Sequence, residues 1–212
     1  MQTYSHYLMT LALKHQLQQP NTLLKRKSGG ILESLLLTLP PLKSRAALLG
    51  SVAPDVPLTT MAIVCIIADA IRKQRSNDPE AMPSWTGHLF STLFFQNRWV
   101  KAVHNLFHAP ILTLAYLVVG YWAWGQGKSW GGNLFWFGVT TTLHTGIDIP
   151  LHYNDGPLLY FPFDWETRFY SPVSYWDPKR YGRPFAIFEH LLLVILLIYV
   201  IRVWRQARKL GA

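Results

Sequence analysis

The sequence is poor in charged residues and in cysteine. Only 15% of its residues are Asp, Glu, Lys or Arg, whereas about a quarter are charged in an ordinary soluble domain. The single cysteine, Cys65, lies in the apolar run 62–67, so no intrachain disulfide can form and cysteine usage indicates no redox compartment. We interpret Cys65 as a packed, unreactive thiol.

Other signatures are missing as well, and each absence excludes a class of protein. No internal repeat or low-complexity stretch divides the 212 residues, so we expect a single domain over 1–212. Residues 1–13 have neither a basic segment nor a small-residue cleavage site, which argues against a signal peptide. The twenty Lys and Arg residues are spread over five polar segments without a recognition motif, so no nucleic-acid partner is predicted despite the formal charge of +9.

What the sequence does contain is apolar and aromatic. Half of its residues are hydrophobic, and its nine Trp and ten Tyr residues suit the boundary between water and lipid. Segments 103–124, 132–149 and 185–204 are candidate membrane helices, whereas 58–71 is short for a span and contains Asp69. The pattern therefore predicts an all-α integral membrane protein with about three to four membrane-embedded helices.

The remaining segments are interpreted as connections. Ser5 is a candidate N-cap of an amphipathic helix, 25–30 is a polar loop, and 31–39 is a leucine-rich stretch ended by two prolines. Residues 89–95 can lie in the membrane interface. The long connection 150–184 contains six of the fourteen prolines and is aromatic rather than rich in Gly and Ser. We expect it to form an ordered polar cap, and we name the membrane side that bears it the capped face.

The ionisable residues of the three candidate spans all fall at the capped face. Two residues begin the first span, two end the second and two begin the third: His104 and His108, His144 and Asp148, Glu189 and His190. Ionisable groups at membrane depth are costly unless they are paired or functional, so this one-sided distribution requires an explanation. For the pair in the third span we favour a simple one, that it marks where the helix meets water.

The other two pairs have the spacing of metal ligands. His104 and His108, like His144 and Asp148, are four residues apart and lie one helical turn apart on one face. The pattern continues to His152 and Asp155, although Pro150 is expected to end or bend the helix first. Imidazole with carboxylate suits zinc, manganese or iron better than calcium or magnesium.

Each motif also has a purely structural interpretation: packed histidines, a hydrogen bond at a helix end, or a turn at Asn154-Asp155-Gly156. Two paired motifs at one depth on adjacent antiparallel spans favour a metal site instead.

These residues resemble a known family. Their order is Ser5-His6, Ala53-Pro54-Asp55, His104-x3-His108, then His144-x3-Asp148-x3-His152-x2-Asp155-Gly156 followed by the run 159–163. This order resembles that of the YdjM-like, LexA-regulated inner-membrane metal-dependent hydrolases, over most of the chain from His6 to about Tyr181. More loosely, it is similar to zinc-dependent phospholipase C and its nuclease relatives.

The resemblance implies a multi-pass protein of the inner (plasma) membrane with a divalent-metal site. The implied ligands are His6, Asp55, His104, His108, His144 and Asp148, with His152 and Asp155 nearby. Two positions depart from the family pattern: Pro57 replaces a second acidic residue, and Asn105 replaces a basic one. If Asp55 joins the site, segment 58–71 cannot cross the bilayer once, and a buried, re-entrant or tilted hairpin-like placement follows.

Two functional hypotheses remain from the sequence. The first is a hydrolase of phospholipids or lipid-linked phosphate esters, in which Asp55 is a ligand or the general base and His152 an acid or a ligand. The second is a non-enzymatic membrane protein with a structural or regulatory metal site, or a transporter for which residues 140–142 are the only hint. Fifteen of the twenty Lys and Arg residues favour a cytoplasmic capped face, whereas the C-terminal basic cluster argues for the opposite side.

Overall fold

The computed structural model of the protein describes residues 1–18, 38–76, 78 and 82–209. Regular secondary structure in these residues is helical, and the only extended pairing among them is a single bridge between Leu158 and Arg168. The prediction of an all-α fold is therefore confirmed.

The described helices fall between residues 3 and 209. In chain order they are α1 (Thr3–Gln18), α2 (Ser44–Val52), α3 (Val56–Arg75), α4 (Trp85–His88), α5 (Phe94–Gln96), α6 (Arg98–Asn105), α7 (Pro110–Gly125), α8 (Gly131–Asp148) and α9 (Gly182–Lys209). A π-helical segment, Leu89–Leu93, joins α4 to α5, and 3₁₀ turns occupy Ile149–Leu151 and Pro178–Arg180.

The centre of the fold is α8. This helix packs against α7 and α2, while α1 packs against α2 and α9. A Cβ atom on Gly120 of α7 or on Gly138 of α8 would overlap with backbone atoms of the facing helix, so both glycines permit the close approach of this pair. Phe135 and Trp136 pack with Ala47 of α2 in a buried apolar cluster. The central helix is thus enclosed by protein on two sides.

Several described helices have the length and composition of membrane spans. Arg98–Gly125, taken as one helix, and Gly182–Gln206 meet that description, and α2 with α3 forms a pair bent by 51° that adds a third if it is one broken span. These helices are compatible with a membrane protein. The predicted span 132–149 exists as α8 but is not among them.

The first predicted span differs in its boundaries. Helical structure begins at Arg98 rather than at 103, and Asn97 caps it by accepting hydrogen bonds from the backbone N–H groups of Trp99 and Val100. It is interrupted between α6 and α7, where Ala109 is extended. Pro110 explains the interruption, because proline lacks an N–H and disfavours the helical conformation in the residue before it.

The segment 58–71 also belongs to a longer helix than its composition predicts. α3 has twenty residues, with Pro57 in its first turn, where the missing N–H costs nothing. Asp69 does not weaken the helix, because its carboxylate accepts hydrogen bonds from Trp85 N, Thr86 N and Ser84 Oγ at 2.7–2.9 Å. These hydrogen bonds join α3 to the start of α4.

The N-terminal helix begins earlier than predicted. α1 starts at Thr3, so Ser5 lies within its first turn, and its hydroxyl donates to Glu189 instead of capping the helix. The predicted polar loop at 25–30 and most of the leucine-rich stretch 31–39 lie outside the described residues.

The connection between α8 and α9 is attached to the end of α6. Asn105 is fully buried, and its Oδ1 accepts a hydrogen bond from Leu158 N at 2.8 Å. Lys101 Nζ donates to Glu166 Oε1 at 2.8 Å and to the Trp165 carbonyl oxygen at 3.1 Å. These bonds hold the connection over the part of the fold that contains His104 and His108.

Candidate metal centre

Asp148, the last residue of α8, lies at the centre of a buried cluster of imidazoles. Its Oδ1 is 3.0 Å from His6 Nε2, and its Oδ2 is 3.1 Å from His144 Nε2 and 3.3 Å from His108 Nε2. The amino group of Met1 also donates to Oδ1 at 2.7 Å. The cluster therefore joins side chains from α1, from the α6–α7 connection and from α8.

The protonation of His144 follows from its partner on the other side of the ring. His144 Nδ1 lies 2.7 Å from the carbonyl oxygen of Ser51. Because a carbonyl only accepts hydrogen bonds, Nδ1 carries the proton and Nε2 faces Asp148 and Asp55, the latter at 3.5 Å. This arrangement requires a positive charge between the groups, either a proton or a metal ion. A backbone carbonyl that accepts from the second ring nitrogen is the usual support of a metal-bound histidine.

The distances around Asp148 fit metal ligands as well as hydrogen bonds. Bonds of about 2.0–2.1 Å to a tetrahedral zinc ion set the ligand atoms about 3.3 Å apart. His108 Nε2 and His144 Nε2 lie at nearly this distance from Asp148, yet neither forms a well-directed hydrogen bond with any described residue. Buried ring nitrogens without partners are rare, so both atoms are oriented as ligands of a common ion would be.

Asp55 approaches the cluster from the bend between α2 and α3. Its Oδ1 faces His144, while its Oδ2 accepts a hydrogen bond from Thr3 Oγ1 at 2.6 Å. The side chain of Asp55 is one-fifth exposed, in contrast to the fully enclosed Asp148. Asp55 is thus the carboxylate that a substrate or water can reach.

His104 lies at the edge of the cluster. Its ring contacts that of His108 edge to face, with ring centroids 4.9 Å apart, and it contacts Phe94 at 5.2 Å. The ring is buried, and neither of its nitrogens has a hydrogen-bond partner in the described part of the chain. The two histidines remain one turn apart as predicted, although only His104 lies within α6.

The two residues predicted after α8, His152 and Asp155, lie beside the cluster. His152 Nε2 is 3.9 Å from Asp148 Oδ2, and His152 Nδ1 is 3.2 Å from Asp155 Oδ1. The indole N–H of Trp176 donates to Asp155 Oδ2 at 2.7 Å. Burial, together with the carboxylates nearby, raises the pKa of the Tyr175 hydroxyl, whose ring packs against His152. The carboxylate of Asp155 is thus held beside His152 on this side of the cluster.

A cavity of about 710 Å³ opens beside these residues. Asp55, His104, His108 and His152 line one end of it. Its volume is in the range of ligand-binding pockets, about 300–1,000 Å³. The cluster is thus placed where a small molecule can approach it.

Glu189 was predicted to lie where the third span meets water, but it is buried. Its side chain is only 2% exposed, and its Oε1 accepts hydrogen bonds from Ser5 Oγ at 2.6 Å and from Gln2 N at 2.9 Å. The neighbouring His190 is exposed. Glu189 therefore fixes the first turn of α1, the helix that carries His6.

The structure brings together most of the residues singled out in the sequence. His6, His108 and His144 contact Asp148, and Asp55 contacts His144. His104 contacts only the ring of His108 in the cluster, and His152 Nε2 lies 3.9 Å from Asp148 Oδ2.

Sequence reasoning missed three supporting groups: the Ser51 carbonyl, the Thr3 hydroxyl and the buried Glu189. The first has no sequence signal, because any residue supplies a backbone carbonyl. The position of Glu189 at the start of an apolar helix was a signal of a special role, but the sequence did not indicate that its partner lies on α1.

The donor atoms present fit a divalent metal. One ligand atom each from His6, His144 and Asp148 lies within 4.8 Å of the others, and all three side chains are buried. Two imidazoles and a carboxylate form a donor set that transition metals accept.

Comparison with known proteins gives no relative: no family model, no curated protein and no solved structure matches the chain.

Proposed function

We propose that this protein is a membrane-bound metal-dependent hydrolase of the YdjM-like type, acting on a phospholipid or a lipid-linked phosphate ester. The observation that carries the proposal is a single one. Buried imidazoles and carboxylates converge on Asp148, and two members of the cluster, Asp55 and His108, line a cavity large enough for a ligand. A structural metal site needs the first feature but not the second.

The proposed chemistry assigns a role to each group. A divalent metal, in our proposal zinc, would be held by His6, His108, His144 and Asp148, where it would activate a water and polarise a phosphoryl oxygen. Asp55, the partly exposed carboxylate, acts as a further ligand or as the general base.

The leaving group needs an acid, and His152 is suited to that part. Its side chain is 13% exposed, and its Nδ1 lies 3.2 Å from Asp155 Oδ1. We assign its Nε2 as the atom that delivers the proton to the departing oxygen.

The transport hypothesis keeps one of the three threonines that suggested it, because the buried hydroxyl of Thr142 has no hydrogen-bond partner among the described residues. The hydroxyl groups of Thr140 and Thr141 donate to carbonyl oxygens one turn back in α8, at 3.0–3.2 Å. Since these bonds satisfy the hydroxyls within the helix itself, the two residues contribute little to a polar path along α8.

The test compares metal content and activity in the same samples. Wild-type protein in lipid nanodiscs is expected to contain stoichiometric zinc by elemental analysis and to release water-soluble phosphate from phospholipid. His144→Ala and Asp148→Asn are expected to lose the metal and at least about 100-fold in rate. His88→Ala, which changes an exposed histidine of α4, is the matched control and should behave as wild type.

Three results would contradict the proposal. Full activity in both variants would remove the cluster from the reaction. Stoichiometric metal without hydrolysis of any phosphate ester, together with loss of folded protein in the variants, would assign a structural site instead. Bound manganese or iron in place of zinc would correct the metal.

A further inference from the structure

The cavity beside the cluster has two chemically different ends. The polar end contains imidazoles and the carboxylates of Asp55 and Asp155. The other end is apolar and consists of side chains from two elements: Leu58, Ala62, Ile63 and Ile66 of α3, and Phe90, Phe94 and Phe95 of the 89–96 segment. A ligand that fills the whole cavity must therefore be polar at one end and apolar at the other.

The apolar end is an extended wall. Leu58, Ala62 and Ile66 follow one another at four-residue intervals on one face of α3, so the wall runs about 12 Å along the helix. Phe94 joins the wall to the polar end, because its ring also contacts His104. The length of this wall suits a hydrocarbon chain better than a compact group.

The wall is an apolar surface that the described part of the chain covers only in part. None of the described side chains of α3 is buried, and Ile63 and Ile66 are 51% and 54% exposed. Apolar area of this kind on a long helix marks a binding surface or contact with lipid. The helix also belongs to the bent pair that has the composition of a membrane span, so the wall is accessible to lipid if α3 is embedded.

The charge of the head group that binds at the polar end depends on whether a metal ion is bound there. Among the described residues that line the cavity, none is Lys or Arg. Apart from the terminal amino group of Met1, which donates to Asp148, the charged groups there are carboxylates, so a metal ion is expected to provide the positive charge that an anionic phosphate needs. Metal and head group are expected to bind together at this end.

We propose that the wall formed by α3 and the 89–96 segment binds the hydrocarbon chain of the substrate while its phosphate lies at the metal cluster. The ligand class is a phosphate ester with one extended alkyl, acyl or prenyl chain. This inference rests on the proposed function, and it adds the site and direction in which the chain binds. Each buried methylene should then strengthen binding about fourfold until the chain exceeds the wall.

The experiment measures the affinity of butyl, hexyl and octyl phosphate for zinc-loaded protein in nanodiscs by calorimetry, with empty nanodiscs subtracted. Inorganic phosphate measures the head group alone, and octyl glucoside the chain alone. We expect octyl phosphate to bind at least about tenfold more tightly than butyl phosphate. We expect octyl glucoside to bind no better than inorganic phosphate.

Two pairs of variants test where the hydrocarbon chain of the ligand binds. Ala62→Trp places an indole in the wall and should abolish the dependence on chain length without reducing zinc content. Val64→Trp, on the opposite side of α3 and outside the cavity lining, should retain it. Ile66→Ser should weaken octyl phosphate several-fold more than butyl phosphate, whereas Ile67→Ser should not.

The outcomes separate this inference from the proposed function. If the three esters and inorganic phosphate bind the wild-type protein with equal affinity, and Ala62→Trp changes all four affinities equally, the chain site is wrong. Hydrolysis of phosphate esters can still occur in that case. Octyl glucoside binding as tightly as octyl phosphate would also overturn the inference. If no ester is bound or hydrolysed by the zinc-loaded protein, the proposed function fails and the chain site fails with it.

Discussion

α8 and α9 both contact the N-terminal helix that carries His6, yet their surfaces are opposite in character. The span within α9 has a mean hydropathy of 2.4, and only 6% of it is buried. α8 buries ten of its eighteen residues, and seven of these are threonine, histidine, aspartate or aromatic side chains. Of these two helices, the one that resembles a membrane span more closely in composition therefore has less protein around it.

The difference shows what hydropathy measures in this fold. A long apolar run identifies a helix whose side chains face outward, where lipid is the natural solvent. A helix that faces other protein can carry polar groups, because neighbouring elements satisfy them. In α8 these groups include His144 and Asp148 of the candidate metal site, which accounts for its weaker apolar signal. The predictions below test this division, from the largest expected effect to the smallest.

Two histidines provide the sharpest contrast. His108 is 3% exposed and lies against Asp148, whereas His190 of α9 is exposed. We expect His108→Ala to weaken zinc binding by at least about 100-fold and His190→Ala to leave it unchanged, as measured by competition with a chromogenic chelator. Equal zinc affinities for the two variants would mean that the cluster is not the metal site.

The contact between α2 and α8 should matter almost as much. A Cβ atom on Gly50 would overlap with Thr140 Oγ1 and with the Phe137 carbonyl oxygen, so Gly50→Ala must push α2 and the Ser51 carbonyl away from α8. Loss of this support for His144 should reduce zinc affinity about 10–100-fold.

Gly146→Ala is the matched control for Gly50→Ala, since nothing lies within 4 Å of a Cβ atom at that position of α8. Chelator competition and thermal unfolding in detergent should both give wild-type values for it. A similar loss of zinc affinity in both variants would indicate a general effect of alanine on these helices.

Glu189 is the exception on α9, because it faces inward. Glu189→Gln keeps the shape of the side chain but removes the charge that Ser5 and Gln2 contact, so we expect a loss of about 1.5–3 kcal/mol in the free energy of unfolding. Glu166→Gln makes the same change at a carboxylate that is 83% exposed, and it should cost less than about 1 kcal/mol. Denaturation monitored by circular dichroism compares them, and equal losses would contradict a structural role for Glu189.

The smallest effect is expected on the outer surface of α9. Ile195 is 63% exposed, so Ile195→Ala should change the free energy of unfolding by less than about 0.5 kcal/mol. Phe135→Ala in α8, where the ring is buried, should cost about 3–5 kcal/mol. The same denaturation experiment measures both, and a large loss for Ile195→Ala would show that α9 has a protein partner on this face.

Much of the cluster could be predicted because its members are local pairs. His144 and Asp148 are one turn apart on α8, and the structure keeps them in contact. Pro150, as predicted, ends the α-helix just after Asp148. His6 and Asp55 were implied only by resemblance, since nothing near them in the chain points to a metal.

Other features could not be predicted, for identifiable reasons. The interruption of the first candidate span depends on Pro110. In a sequence, a proline at such a position is compatible both with the start of a helix and with a break in one. The length of α3 depends on Asp69 capping a helix fifteen residues later, and such pairings have no local pattern.

The amino-acid order alone determined that the chain is helical, which runs are apolar, and which imidazoles and carboxylates lie one turn apart, because those properties depend on neighbours within a few residues. Only the tertiary structure decided that α1 and the α2–α3 bend meet the end of α8, that Ser51 orients His144, and that Glu189 points inward. These contacts join residues more than fifty positions apart, and close helix packing around glycine, rather than any local pattern, brings them together.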